Sequence, residues 1–413
     1  MRRTTSALLV LPLMVAAGLA APTSAAPSAV GERASGGAAQ AQATVRFATF
    51  NASLNRSAAG ELVEDLSSPD DPQAQAVAEI IQRTRPDVLL VNEFDHAPEA
   101  VDLFRDNYLA VSQGGAEPID YPHAFLAPSN TGVPSGHDLD NDGSVGGPND
   151  ALGFGFFEGQ FGLLVLSRYP IDTAAVRTFQ HFRWADMPGA MLPDDPATPD
   201  PGDWYTAEEL AVLPLSSKSH WDVPIRVGSR PVHFLVSHPT PPVFDGPEDR
   251  NGTRNHDEIR FWADYVVPGA RSSYVYDDAG RRGGLTPGAR FVIAGDQNSD
   301  PVDGDSVPGA IQQLIEHPLV RDPLPVSEGA VEAAALQGGA NDDHLGNPAY
   351  DTADFADSAP GNLRADYVLP SRHLRVRGAG VFWPVLSDPL SRLTGTFPFP
   401  SSDHRLVWVD VRR

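Results

Sequence analysis

Polar residues that can bind a metal ion or move a proton stand where several apolar runs of the sequence begin or end. They occupy six places along the chain: Asn51, Asn92-Glu93, Ser237-His238, Asp296-Gln297-Asn298, Asp366 and Ser402-Asp403-His404. Because strand ends lie at the rim of a sheet, side chains at these places can meet in one crevice. A single Asn or Asp at a strand end is most often a turn former. Six such places in one chain favour a shared site instead.

Two of these residues are suited to hold a hard cation. Glu93 offers a carboxylate, a preferred ligand of Mg²⁺ or Mn²⁺, and Asn51 can support the ion through its side-chain oxygen or a water molecule. Hydrolysis of a phosphoester needs such a cation, together with a positioned water and hydrogen-bond donors for the nonbridging oxygens. The residue types are therefore compatible with metal-dependent hydrolysis of a phosphoester.

Four others are suited to the proton and hydrogen-bonding steps. Asp296 and Asn298 stand at i and i+2, so an extended strand would turn both toward the same side. Asp296 can then accept a proton from the attacking water, while Asn298 orients that water or donates to the phosphate. His238 and His404 can donate to phosphate oxygens. We predict that Asp296 is the general base, with a histidine as the alternative.

The elements that must position these residues alternate between strand-like and helix-like patterns from residue 44 onward. Continuous apolar runs typical of buried strands cover 45–50, 88–91, 163–166, 223–227, 233–236, 291–294, 367–369 and 406–411. Helical patterns cover 72–84, 257–267 and 307–315. Interleaved strands and helices predict a layered α/β domain. Three loop-rich inserts interrupt it, at about 112–162, 182–219 and 323–362, and loops of that length are typically functional or braced by a metal.

The charge balance restricts the class of substrate. The 413 residues include 30 Lys+Arg and 54 Asp+Glu, which gives a formal net charge of −24. Proteins that bind long nucleic acids normally use Lys and Arg to displace counterions, so the balance favours a small phosphoester. The chain contains no Cys, which excludes disulfides, zinc thiolate sites, iron–sulfur clusters and a thiol nucleophile.

The N-terminal segment has the features of a secretory signal. Arg2 and Arg3 precede an apolar stretch at 7–21, and small residues follow it as a cleavage site near Ala25. The stretch is shorter than the roughly 20 residues of a membrane-spanning helix. We therefore predict a signal peptide at 1–25, a disordered leader at 26–43 and one catalytic domain at 44–413, secreted and without stable membrane insertion.

Two further groups of residues are candidates for ligand binding. Asp138, Asp140 and Asp142 stand at positions 1, 3 and 5 of a sequence that begins like a calcium-binding loop, although the Glu expected at its end is absent. An acidic turn is the alternative to a structural Ca²⁺ site. Arg250 and Arg254 could clamp a phosphate, or could instead pair with neighbouring acidic residues or cap the following helix.

In order and placement, the strand-end residues resemble the endonuclease/exonuclease/phosphatase superfamily, which includes pancreatic-type deoxyribonuclease, exonuclease III, sphingomyelinases and inositol polyphosphate phosphatases. The resemblance spans about residues 45–411. Its most specific parts are the Gly295-Asp296-Gln297-Asn298 element and the terminal Ser402-Asp403-His404. The chain differs in two ways: Asn92 precedes Glu93 where many members have Gln, and the three inserts have no general counterpart.

The resemblance implies a four-layer α/β sandwich, in which two mixed β-sheets pack face to face with helices outside. It also implies that Asp366 orients a histidine and that Asp403 adds to metal or hydrogen-bonding support. We therefore predict a secreted, divalent-metal-dependent phosphodiesterase or phosphatase in which water attacks phosphorus in line. An extracellular nuclease of the same superfamily is the first alternative. A noncatalytic calcium-dependent binding protein is an alternative of another class.

Overall fold

Thirteen strands and seven α-helices lie in residues 44–413, the part of the chain that the computed structural model describes. The predicted signal peptide and leader lie outside the described residues. The strands are β1 (Thr44–Asn51), β2 (Val88–Asn92), β3 (His123–Phe125), β4 (Leu163–Ser167), β5 (Arg177–Thr178), β6 (Trp221–Ile225), β7 (Val232–Val236), β8 (Phe291–Asp296), β9 (Ala353–Asp354), β10 (Asn362–Leu363), β11 (Asp366–Pro370), β12 (Val376–Val381) and β13 (Val407–Arg412).

The α-helices are α1 (Glu61–Leu66), α2 (Pro72–Thr84), α3 (Pro98–Phe104), α4 (Ala207–Val212), α5 (Arg250–Tyr265), α6 (Gln312–Ile315) and α7 (Glu328–Gln337). A π-helical turn, Arg105–Leu109, continues α3. Short 3₁₀ helices lie in the loops at Pro148–Asp150, Thr173–Ala175, Trp184–Asp186, Ala270–Ser272, Gly339–Asp343, Pro348–Tyr350 and Pro389–Leu393. None of the helices within residues 44–413 is both long and apolar enough to cross a membrane.

Two mixed sheets carry most of the strands. The first has the order β12-β13-β1-β2-β4-β3 and the second the order β11-β8-β7-β6-β5, while β9 and β10 form a separate pair. In the first sheet β1 and β2 run parallel, and in the second β7 and β8 run parallel. The other neighbouring strands are antiparallel.

The two sheets pack face to face between layers of helices. Val45 and Phe47 of the first sheet share one apolar cluster with Phe234 of the second, and the rings of Phe47 and Phe234 lie 5.5 Å apart. Phe50, on the opposite face of β1, packs in a second cluster with α2 and α3. A third cluster joins the outer face of the second sheet to α5 and α6. The fold is therefore the predicted four-layer α/β sandwich.

Burial on both faces explains the apolar runs, and capping explains the helix limits. All five residues of β2 are buried, as expected for a strand covered on both sides. α2 begins after Asp71, whose side chain accepts a hydrogen bond from Ala74 N, with Pro72 as its first residue. It ends at Thr84, and the capping residue Arg85 lies in the left-handed region.

Two predicted helices differ from the observed ones. α5 begins at Arg250 rather than at 257, because its first two turns are polar and show no apolar periodicity. Over 307–315 only Gln312–Ile315 is α-helical. The second and third inserts also contain the helices α4 and α7, which sequence periodicity did not indicate.

Candidate active site

The predicted site residues meet where both sheets present the ends of their strands. In the first sheet Asn51 lies opposite Asn92, which places Glu93 beside Asn51. In the second sheet Asp296 lies opposite Asp366. Because β1 packs on β8 and β11, these strand ends share one cavity of about 570 Å³.

Six of the predicted catalytic and metal-binding residues line this cavity, and two lie behind it. The lining residues are Glu93, His238, Asp296, Asn298, Asp403 and His404. Asn51 and Asp366 are buried and hydrogen-bonded to side chains that line it. The strand-end pattern in the sequence therefore identified a set of residues that the fold brings together.

The side-chain amide of Asn51 joins the two halves of the site. Its Nδ2 donates to Glu93 Oε1 at 3.0 Å and to Asp296 Oδ2 at 3.1 Å. Asn55 Nδ2 donates to Glu93 Oε2 at 2.8 Å. Glu93 has a φ of +58°, a sparsely populated region for a non-glycine residue that tends to occur at functional sites. Two amides therefore hold its carboxylate at the cavity wall.

Asp296 is the centre of the hydrogen-bonding arrangement. Its Oδ2 lies 3.3 Å from His238 Nε2 and 3.5 Å from His404 Nε2. Burial alone would raise the pKa of Asp296, but His404, His238 and Asn51 outweigh it and hold that pKa well below its usual range. The carboxylate is therefore ionised at neutral pH, the form in which it can accept a proton from water.

His404 lies between two carboxylates. Its Nδ1 is 2.8 Å from Asp366 Oδ2, and its Nε2 faces Asp296. Burial alone would lower the pKa of His404, but Asp366 and Asp296 raise it well above its ordinary value. The imidazole is therefore protonated at both nitrogens and can donate Nε2–H to a phosphate oxygen. Asp366 is itself held by Thr352, whose Oγ1 donates to Oδ2 at 2.9 Å.

Asn298 reaches the cavity in a way that strand alternation does not predict. β8 ends at Asp296, and Asn298 has a φ of +50°, so a turn and not an extended strand directs its side chain. Its backbone N donates to Asp296 Oδ1 at 2.9 Å, and its Nδ2 donates to Pro239 O at 3.1 Å. Gly295 is required just before this turn, because a Cβ there would lie 2.0 Å from the Ser237 carbonyl oxygen.

The sequence matches the model of the Endonuclease/Exonuclease/phosphatase family over residues 48–404. The chain belongs to this family. The matched range extends from β1 to His404 and includes every residue that lines the cavity. Members of the family are metal-dependent phosphoester hydrolases, and the chain is an enzyme of this kind. The alternative of a noncatalytic binding protein is therefore wrong.

Solved structures of low sequence identity are similar to this chain. The endonuclease/exonuclease/phosphatase from Beutenbergia cavernae DSM 12333 is 17% identical over 89% of this chain and 71% of that chain, with a TM-score of 0.46. The human Nocturnin catalytic domain with bound sulfate is 14% identical over 89% and 94%, with a TM-score of 0.44. The beta toxin from Staphylococcus aureus with bound magnesium ions is 12% identical over 89% and 99%, with a TM-score of 0.44. Comparison with curated protein sequences gives no match.

The cavity of this family member has the donor chemistry of a divalent-metal site. Glu93, Asp296 and Asp403 line it, and no Lys or Arg among residues 44–413 does. Hard cations such as Mg²⁺ prefer carboxylate oxygens. The residues therefore fit a divalent cation. Asn51 turns its Nδ2 toward the carboxylates while its oxygen accepts from Ser53 N, so in this arrangement it supports Glu93 through its amide nitrogen.

Arg254 does not reach the cavity, and its prediction as a phosphate clamp is wrong. The side chain is buried, and it donates only to backbone carbonyl oxygens: Leu152 O at 2.7 Å, Pro214 O at 2.9 Å and Leu215 O at 2.9 Å. The guanidinium therefore ties the first two inserts to α5. A buried Arg that donates to backbone carbonyls of two inserts in this way has a structural role.

Two other basic residues near the site do not line the cavity. Arg250 does not line the cavity and forms an ion pair with Glu248, so the structure gives it no phosphate contact. Lys218 is buried before β6, and burial lowers its pKa against the opposing influence of Glu258, Glu93 and Asp296. It does not line the cavity either.

The acidic loop of the first insert brings together a set of carboxylates that differs from the prediction. Asp138, Asp140 and the buried Asp150 have ligand atoms within 4.8 Å of one another. The predicted Asp142 is not in this group, and its backbone N donates to Asp138 and Asp140 instead. The side chain of Asp142 accepts from Ser144 N. A structural Ca²⁺ at this loop stays a prediction.

Three side chains of the site had no signal in the sequence. Asn55 holds Glu93 from the loop after β1, and Thr352 holds Asp366 from the end of the third insert. Phe355 packs edge-on against His404, with ring centroids 5.3 Å apart. Each lies in a loop without hydrophobic periodicity, so only the three-dimensional contact identifies it.

Proposed function

We propose that this enzyme hydrolyses small phosphoesters rather than long nucleic acids. The observation that carries the proposal is the charge of the cavity, which is lined by several carboxylates and, among residues 44–413, by no Lys or Arg. Proteins bind polynucleotides mainly through basic side chains that displace counterions. A single phosphoryl group needs only a local set of donors, which His238, Asn298 and His404 provide.

Glu93 and Asp403 would hold a divalent cation, Mg²⁺ or Mn²⁺, with Asn51 supporting Glu93. When bound, such an ion would neutralise the negative charge on the phosphoryl oxygens. Asp296 Oδ2 accepts a proton from the attacking water as its oxygen bonds to phosphorus. The ester bond on the opposite side breaks, and the alcohol oxygen leaves with the bonding electron pair and takes up a proton from solvent. His404 Nε2–H and His238 donate to the nonbridging oxygens, and Asp366 keeps the His404 ring oriented and charged.

A panel of substrates tests this proposal. The purified protein is dialysed against EDTA, and hydrolysis of p-nitrophenyl phosphate, bis(p-nitrophenyl) phosphate and plasmid DNA is measured after addition of Mg²⁺, Mn²⁺ or Ca²⁺. We expect metal-dependent turnover of a chromogenic ester, lost in Glu93→Gln and His404→Ala and kept in Glu99→Gln, a matched change on the exposed face of α3. Faster cleavage of DNA than of either ester would favour the nuclease alternative, and turnover of nothing would contradict the proposal.

We further propose that the protein is exported, as the signal-like segment at 1–25 indicates. The acidic composition and the absence of Cys are compatible with a protein that needs no oxidative folding outside the cell. Expression of the full chain in a secreting bacterial host, followed by N-terminal sequencing of the protein in the medium, tests this proposal. A start near residue 26 is expected, and retention of the uncleaved chain inside the cell would contradict it.

A further inference from the structure

The cavity continues from the catalytic residues into a space with two apolar walls. One wall comes from the loop after His238, and the other from the end of the third insert. The residues of the first wall are Pro241, Pro242, Val243 and Phe244, and those of the second are Phe355, Ala356, Ala359, Pro360 and Leu363. These walls form no part of the phosphoryl chemistry described above.

Phe244 lines the cavity although its ring is exposed to solvent and its backbone is strained. Its side chain is 86% exposed, and its backbone has a φ of +69°, which a bulky residue rarely adopts. The loop is fixed on both sides of it: Asn251 Nδ2 donates to Val243 O at 2.7 Å, and Asn251 N donates to Asp245 Oδ2 at 2.7 Å. An exposed aromatic ring in a strained, anchored backbone is typical of a binding position.

Phe355 connects the second wall to the reacting atoms. Its ring packs edge-on against His404 at 5.3 Å, with an interplanar angle of 80°. The apolar surface therefore begins beside the imidazole that faces the phosphoryl group. A substrate whose phosphoryl group lies against His404 would place its ester group along this surface.

The charge of the same space disfavours a second anionic group. Asp300 and Asp305 line it, together with the catalytic carboxylates, and no Lys or Arg of the described chain does. A further phosphate or carboxylate on the substrate would be repelled. With a volume of about 570 Å³, the cavity is in the range of small-ligand sites.

We propose that the enzyme acts on phosphoesters of a compact, uncharged apolar alcohol, which binds between Phe244 and Phe355. This inference rests on the proposed function, since it assigns the substrate group of the same site. A small soluble ester and a lipid ester can both carry such an aryl or alkyl alcohol. The experiment below separates these two sources.

Binding of phosphonates tests the inference without requiring turnover, because the carbon–phosphorus bond is not hydrolysed. Isothermal titration calorimetry in Mg²⁺ compares phenylphosphonate and hexylphosphonate with methylphosphonate. We expect the two larger ligands to bind the wild-type protein about tenfold more tightly, which corresponds to about 1.4 kcal/mol. Phe244→Ala and Phe355→Ala should reduce this preference to less than threefold. Phe397→Ala removes an equally exposed ring, 85%, that does not line the cavity, and should keep the preference.

Equal binding of all three phosphonates, or a preference that survives both cavity substitutions, would overturn the inference. Absence of turnover in the substrate panel, with the phosphonate preference intact, would instead overturn the proposed function alone. Release of phosphocholine from phosphatidylcholine vesicles, lowered by Phe244→Ala, would assign the apolar group to a lipid. Phosphonate preference without vesicle hydrolysis would assign it to a small soluble ester, and either result supports the inference.

Discussion

Replacing Asp366 by Asn tests whether the carboxylate behind His404 sets the protonation of that imidazole. The substitution keeps the shape of a fully buried side chain and removes one of two negative charges that face the ring. Asp366 Oδ2 lies 2.8 Å from Nδ1, whereas the Asp296 carboxylate stays 3.5 Å from Nε2. Thr352 Oγ1 can still donate to the side-chain oxygen of the Asn.

The expected effect is a change in the pH dependence of the rate. An opposite charge in direct contact changes a pKa by about 1–3 pH units. Without Asp366, the pKa of His404 therefore falls from well above its ordinary value toward that value. In the wild-type enzyme His404 stays protonated through neutral pH. In the variant the proton is lost as the pH rises through that range, and a lost acid costs about 10²–10⁴ in rate. We therefore expect kcat at pH 8 to fall about 100-fold and to recover partly near pH 6.

The assay is kcat with saturating Mg²⁺ on the best ester of the panel, measured at half-unit intervals between pH 5.5 and 9. Asp354→Asn is the matched control, because Asp354 is also buried but pairs with Arg405, 2.9 Å away, and not with His404. The control should lower thermal stability and keep the shape of the profile. A folded Asp366→Asn enzyme with a profile parallel to the wild-type one, and a kcat within threefold at pH 8, would refute the reasoning.

Three further predictions concern metal, pH and calcium. Glu93→Gln should weaken Mn²⁺ binding, measured by calorimetry, about 10-fold or more while Glu99→Gln does not; equal affinities would place the ion elsewhere. Burial, together with repulsion from two nearby carboxylates, raises the pKa of Asp351 to about 8. The free energy of unfolding therefore decreases as the pH rises from about 4 to 8, because the unfolded chain releases this proton more readily. Asp351→Asn should therefore raise Tm by several degrees at pH 8 and leave it unchanged near pH 4, and a pH-independent effect would contradict this. Addition of Ca²⁺ to the EDTA-treated protein should raise Tm, and Asp150→Asn should abolish that rise. A Tm that does not change when Ca²⁺ is added would indicate that the acidic loop is a turn without a bound ion.

The sheets and the main site residues could be predicted from the sequence because both depend on local pattern. A strand covered on both faces must be apolar throughout, as β2 is, and the end of such a run is visible in the sequence. Glu93 and Asp296 each stand at such an end. Parallel pairing of β1 with β2 and of β7 with β8 then directs these ends toward the same rim.

The remaining features depend on contacts between distant segments, which no local pattern encodes. Thr352 and Phe355 reach the site only because the third insert folds back onto β11 and His404. Arg254 illustrates the opposite error: it was a candidate phosphate clamp, but its Nε and Nη2 donate to three carbonyl oxygens from other loops. Asn298 lines the cavity, as predicted. A left-handed turn, and not the predicted extended strand, brings it there.

The charge of the cavity has a consequence for how an acidic enzyme can bind an anion. Glu93, Asp296 and Asp403 together present negative charge to an incoming phosphoryl group, and the protonated His404 is already engaged by two carboxylates. These carboxylates repel a negatively charged phosphoryl group, so the protein side chains alone disfavour binding of a phosphate ester. Affinity for substrate must therefore be linked to occupation of the metal site, and each ligand then raises the affinity for the other by the same factor. The apolar walls add attraction that this charge balance does not weaken, which is why the ester group, and not the phosphate, is expected to determine which substrates the enzyme selects.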